Sequence, residues 1–357
     1  MTSTLTPVVA ELAHAGSAAA TPRWRRSRTT RTWGMVACAL ALVAASVASL
    51  VFGVRDVPID QVWHALTTPG VPGIDAAAAL SRVPTTVAGI LIGAALGVGG
   101  ALMQGVTRNP LADPGLLGIN SGAALFVVIA MTFLGVSSAI GTVWFAFAGA
   151  AVAAIVVYAV ASAGRRGATP FTLTLAGAAV TAAAASITTG VLLTNVASLD
   201  SYRFWQIGSI SAPAWSTILL LAPFIVVGLV LALFQGSALN ALALGDDLAR
   251  GLGHRVGLSR VLTAVAVVLL CGAATAMAGP IAFVGLAVPH AARLVFGADY
   301  RWILPAAAFL GGVLLLVADV IGRLVARPST IEVGVVVAII GAPVLIALVR
   351  RTKAVAL

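Results

Sequence analysis

Residues 83–105 read VPTTVAGILIGAALGVGGALMQG, 23 consecutive residues without one ionisable side chain. A hydrocarbon layer about 30 Å thick needs roughly 20 apolar residues per helix, so this stretch has the length of a membrane span. Glycine sets its character. Gly89, Gly93, Gly97, Ala101 and Gly105 recur every four residues and line one ridge of small side chains, against which another helix can lie closely. The same ridge also suits the general packing of an alanine-rich helix, and either way the helix belongs at the centre of a bundle.

Nine further uncharged or nearly uncharged stretches of similar kind flank this one. The full set runs over 33–54, 83–105, 115–134, 141–163, 170–194, 215–234, 257–278, 281–296, 303–325 and 331–349. The eighth is short and holds Pro289, which fits a partial or broken span. With 60% hydrophobic and 9% charged residues among 357, the chain has far more apolar side chains than a soluble core requires. The expected fold is therefore all-α, a polytopic membrane protein of about ten transmembrane helices with both termini cytoplasmic.

Orientation comes from the basic residues. With the N-terminus inside, sixteen of the 21 lysines and arginines fall on the cytoplasmic side; only Arg55, Arg82, Arg203, Arg323 and Arg327 fall outside. The net charge of +10 thus reads as topology rather than nucleic-acid binding. Residues 1–32 form a basic cytoplasmic tail, 33–350 one transmembrane domain, and 351–357 a second cytoplasmic tail. The basic N-terminal tail followed by an apolar run also resembles a secretory or twin-arginine signal, but the run is long enough for an uncleaved first span.

Span five carries Thr174, Thr181, Thr188 and Asn195 at intervals of seven, roughly on one helical face. That face suits a water-filled translocation path, although threonine hydroxyls in a span also bond their own i−4 carbonyls. Between spans six and seven lies LNALALGDDLARGLG at 239–253, too short to cross the membrane. Gly245, Gly251 and Gly253 divide it into two short apolar helices, with Asp246 placed to cap the second. Leu242, Leu244, Leu248, Ala249 and Leu252 would then face the cytoplasm unless a partner, or the bilayer surface, covers them.

Several chemistries are missing. Lys353 is the sole lysine, so no glycine-rich loop ends in the lysine that a P-loop needs. His14, His64, His254 and His290 have no ligand-like spacing, and Cys38 and Cys271 lie in apolar segments, so neither metal site nor cofactor is expected, and no catalytic constellation appears. Asp319 is the one candidate for ion-coupled transport, and Arg323 four residues on offers it an intrahelical pair instead.

Three motifs carry a resemblance: Arg82-Val83-Pro84, QGVTRNPLADPGLLG at 104–118 and GPIAFVGLAVPH at 279–290, continued by Leu304-Pro305, Ala318-Asp319 and Gly341-Ala342-Pro343. Together they resemble the permeases of ATP-binding-cassette importers for ferric siderophores, haem and cobalamin, the FecCD type. The resemblance covers about 80–350 and implies a non-catalytic subunit paired with a second permease, identical or related. It also implies two cytoplasmic ATPases that bind the ATP, and an external binding protein. It makes 239–253 the coupling helices that dock on the ATPase, Arg82 and Arg323 the outer docking arginines, and spans five and ten the path. Thr85 stands where the family often has a second arginine, and lipid or helix-end anchoring is the other use of Arg82 and Arg323. The expected cargo is a ferric siderophore crossing a bacterial inner membrane by alternating access. Haem or cobalamin import is the alternative, and an ion-coupled carrier is the alternative of another class.

Overall fold

A computed structural model describes residues 28–68, 70, 73–163 and 169–355. Most of the basic tail expected over 1–32, and the last two residues of the chain, lie outside them. Residues 28–32 already belong to the first helix, and the last one runs to Val355.

Helices α1 (Arg28–Val51), α2 (Ile59–Thr67), α3 (Ile74–Thr107), α4 (Ile119–Phe133) and α5 (Ala139–Ser162) open the chain. Then come α6 (Pro170–Leu192), α7 (Val196–Ile207), α8 (Trp215–Phe234), α9 (Gly236–Ala243) and α10 (Asp246–Gly251). The chain continues with α11 (Val256–Val267), which passes through a π-helical turn at Val268–Gly272 into α12 (Ala273–Ala278), then α13 (Val284–Phe296), α14 (Tyr300–Val325) and α15 (Val333–Val355). No strand occurs among the described residues. Among the described residues, seven segments are long and apolar enough to cross a membrane, and α4, α13 and the 333–343 part of α15 are shorter apolar helices. These ten coincide with the ten stretches expected.

Helix α3 is the axis. In its most apolar window 83% of residues are buried, against 17% in α1. Lipid tails are as apolar as leucine, so helices in a bilayer associate through close packing rather than through water exclusion, and small residues permit that approach. A Cβ on Gly93 would collide with the main chain of Gly311 in α14, one on Gly97 with Ala307, and one on Gly100 with Gly285 in α13. At Gly93, Gly97 and Gly100 the crossings are therefore backbone to backbone, whereas Gly89 and Gly105 meet the side chains of Leu316, Leu239 and Tyr300.

Helix α3 starts at Ile74, well before residue 83, and carries Pro84 within it. Proline removes one i→i−4 bond without ending the helix here. At 34 residues the helix is about 51 Å long and overreaches the hydrocarbon layer.

After α3 ends at Arg108, the 109–118 segment folds back along the helix. Arg108 takes a left-handed φ of 52°, the Asn109 Oδ1 accepts from the Leu111 amide at 2.9 Å, and Asp113 accepts from the Gly115 amide at 2.8 Å. Pro114 thereby reaches the level of Gly99, where a Cβ would stand 3.7 Å from its ring. Gly99 lies eight residues from the end of α3, about 12 Å up the helix, so α4 begins inside the bundle and is short for that reason. Irregular backbone is tolerated at such depth when protein covers it, and Ala112 and Leu117 are both buried.

Candidate functional site

One end of the bundle carries the paired helices α9 and α10. Gly245, at φ 115°, makes the break between them in a conformation that disfavours a side chain. Leu242 and Ala249 turn inward and are buried, whereas Leu244, Leu248 and Leu252 are 60%, 61% and 63% exposed. Gly253, at φ 84°, closes the pair.

Asp246 does not cap α10, contrary to its expected role. Gly245 is the N-cap, without a side-chain bond, and Asp246 stands at the first helical position. Its carboxylate instead receives the guanidinium of Arg108, at the end of α3, and that of Arg260 in α11 at 2.9 Å. The end of α9 is tied by Asn240, which donates to Asp299 at 2.7 Å and accepts from the Tyr300 amide at 2.9 Å. Arg31 of α1 reaches the same Asp299 at 3.4 Å. Charge-assisted bonds of this sort hold geometry better than neutral ones. Asp246→Ala should therefore raise amide hydrogen exchange over 246–253 by about tenfold while the bundle's own protection is unchanged.

At the opposite end, the expected docking arginines are not displayed. Arg82 and Arg323 are each 9% exposed. Arg82 donates through Nη1 to the carbonyls of Leu50 at 2.8 Å and Val51 at 3.0 Å, and through Nη2 to that of Arg55. Arg323 donates to the carbonyls of Ser49 at 3.1 Å and Phe52 at 3.3 Å, to Ser49 Oγ at 2.9 Å, and to Asp319. A helix leaves its last four carbonyls without intrahelical donors, and these two guanidinium groups supply donors to the end of α1. Both side chains therefore act as a clamp on the end of α1, because long cationic side chains with such acceptors in reach turn inward. The Asp319–Arg323 pair forms as the spacing implied, with side chains 6% and 10% exposed.

Displayed cations at this end include Arg55, with its side chain 60% exposed beside Asp75, and Arg327, 37% exposed beside Asp56. The hydrogen bond from Arg327 holds the Asp56 carboxyl below its ordinary range. That pairing is therefore present at neutral pH and is lost only as pH falls through the lowered value. A cleft of about 340 Å³ opens beside Arg55, lined also by Ser81, Arg82, Thr85, Asp319, Arg323 and Thr330. Thr85 accepts from the Ala212 amide at 3.1 Å, a structural use for the residue at which the sequence departs from the family pattern.

Of the four residues proposed for the path, the structure brings one to a cavity. Thr188 is buried; Thr181 and Asn195 are half-buried and Thr174 is exposed. Seven residues fall about 20° short of two full turns, so a heptad row drifts around the helix and does not keep one environment. Thr188 lines a cavity of about 460 Å³ among α4, α6 and α7 that is open on one side. Sequence reading missed its other polar walls: Asn120 and Ser121 at the start of α4, Thr189 beside Thr188, and Tyr202, Arg203 and Gln206 on α7. The signal was present in DSYRFWQ at 200–206, an aromatic and polar run set between two spans.

Ten apolar segments wound around a glycine-seamed axis, with a polar cavity inside and ordered surfaces at both ends, define a polytopic membrane protein built to work with other chains. The chain belongs to the FecCD transport family, whose model matches residues 41–351. It is 44% identical over 324 residues to the ferric enterobactin transport system permease protein FepD of Escherichia coli (strain K12), covering 90% of this chain and 96% of that one. To the probable siderophore transport system permease protein YfiZ of Bacillus subtilis (strain 168) it is 41% identical over 320 residues, covering 89% and 96%. A solved inward-facing conformation described as a metal-chelate type ABC transporter superposes with a TM-score of 0.77 at 25% identity, over 89% of this chain and 98% of that one.

Proposed function

We propose that this chain is the permease subunit of an ATP-driven importer for ferric siderophores in the cytoplasmic membrane of a bacterium. The observation that carries the reading is the α9–α10 pair: three leucines held out on a face anchored by Asp246 and Asn240, in a chain whose sequence has no P-loop. Such a surface fits a separate ATPase, the α9–α10 end being cytoplasmic as the basic residues imply. The names of the relatives support iron chelates over haem or cobalamin. Two permease chains, two ATPases and an external binding protein make up the assembly, and this chain binds no cofactor of its own.

On the other side the binding protein meets Arg55 and Arg327 first, with Arg82 and Arg323 holding α1 beneath them. Complementary charge there would speed and orient docking more than it would tighten it. Ion coupling is less well supported, because Asp319, its one candidate, is committed to Arg323.

The test is uptake of radio-iron on a panel of siderophores by cells lacking the chain, complemented by the wild type, by Arg55→Glu with Arg327→Glu, or by Leu248→Asp. One chelate should depend on the chain; the double variant should lower its uptake chiefly at low cargo concentration. Leu248→Asp should lower uptake more than about tenfold at unchanged membrane level, since it puts a charge where an apolar contact forms. Loss of labelled haem or cobalamin uptake instead would change the cargo and keep the importer. Collapse under a proton ionophore at constant ATP would replace the importer by an ion-coupled carrier.

A further inference from the structure

We propose that the cavity among α4, α6 and α7 is a cargo-binding site within the membrane domain that selects for an anionic, oxygen-rich ligand, so that the permease itself discriminates by charge. The inference rests on the importer reading and goes beyond it, because it places part of the selectivity in this chain.

Charge is the first ground. Among the residues lining the cavity, Arg203 is the one carrying a formal charge at neutral pH; no carboxylate lines it. Its partner Asp200 stands 3.8 Å away, and both side chains are about two-thirds exposed, at 66% and 69%. An exposed pair at that distance is weak, so the guanidinium stays available to a ligand.

The second ground is an unmet hydroxyl. Thr188 is 5% exposed, and its Oγ1 is buried with no hydrogen-bond partner. Most buried polar atoms in folded proteins are partnered, so a hydroxyl left unmet in the wall of a cavity of about 460 Å³ is spare bonding capacity, which rotation about the Thr188 side-chain bond would turn toward a bound ligand.

Donor bias is the third. Asn120 has its carboxamide oxygen engaged by Thr275 Oγ1 at 3.0 Å, which leaves its NH2 as the end offered to a ligand. Gln206, the Tyr202 hydroxyl and Arg203 add further donors, while Leu192, Leu199 and Pro280 supply an apolar wall for an organic frame. Negative oxygens on a partly apolar scaffold fit this lining; a cationic ligand or a bare metal ion does not.

The deciding measurement uses the assembled transporter in nanodiscs without its binding protein. Equilibrium binding is read for a radio-iron tris-catecholate, a trianion, and for a neutral tris-hydroxamate of similar size. In the wild type the trianion should bind at least about tenfold more tightly, and Arg203→Gln should erase that preference. Thr188→Val should weaken both chelates about fivefold with the preference intact, and Thr188→Ser should restore binding, which separates ligand contact from a folding defect. Absence of a preference in the wild type, or its survival in Arg203→Gln, overturns the inference. If neither chelate binds in nanodiscs while cellular uptake still depends on the chain, the site is wrong and the importer stands. If uptake of no chelate depends on the chain, the importer reading falls and this inference with it.

Discussion

Gly93→Leu should leave almost no folded protein in the membrane, seen as loss of the monodisperse peak of the detergent-extracted chain. The reason lies in what a Cβ would strike. At Gly93 the obstacle is the main chain of Gly311 and Gly312, which cannot swing aside as a side chain can. Overpacking an ordinary core costs about 1–3 kcal/mol because neighbours change rotamer, and here two helices must separate instead. Gly89→Ala, where the first obstacle is the flexible Leu316 side chain at 2.7 Å, should be tolerated far better. Equal damage from both substitutions would contradict the crossing geometry.

The second large effect is expected at the clamp. Arg323→Met removes a guanidinium that serves Ser49, Phe52 and Asp319, and leaves the Asp319 carboxylate buried without its cation. Breaking one side of a buried pair typically costs about 3–5 kcal/mol. Thermal unfolding of purified protein should show the loss. Adding Asp319→Leu should recover most of it, because the uncompensated charge is then gone while the carbonyls of α1 stay under-served. A surface docking arginine would behave otherwise: its loss would leave unfolding unchanged and slow only the encounter with a partner.

These outcomes bear on what the chain discloses before it is folded. The ten apolar segments are legible because membrane thickness imposes a length on each, and the glycine spacing in α3 names the central helix without any structure. Boundaries are less so. The uncharged run opens at 83, after Arg82, yet the helix starts at Ile74, since hydropathy marks the membrane-length stretch and not the helix end, and Pro84 interrupts the ladder without ending it. The short helices α2 and α7 were hidden because they have no membrane-length apolar run, and α7 carries Tyr202, Arg203 and Gln206 of the cavity's polar wall.

Side-chain destinations were the least visible part. Arg82 and Arg323 look like surface charges in sequence; what turns them inward is a set of carbonyls at 49–55, brought near by the packing of α1 on α3 and α14. Asp246 is similar, drawn from a local cap to Arg108, 138 positions earlier. Local rules rank such residues correctly as important and place them wrongly, because the competing partner lies on another helix.

One feature has mechanical meaning. Helix α3 is a single rod: its one end, at Arg108, grips Asp246 of α10, and near its other end Arg82 grips the tip of α1. Between the grips, Gly93 and Gly100 rest directly on the backbones of α14 and α13, with no side chain to act as a cushion. A bearing of bare main chain lets a rod pivot but not compress. A sideways push on α10 would therefore reach the far end as tilt of α3, with α1 carried along through Arg82.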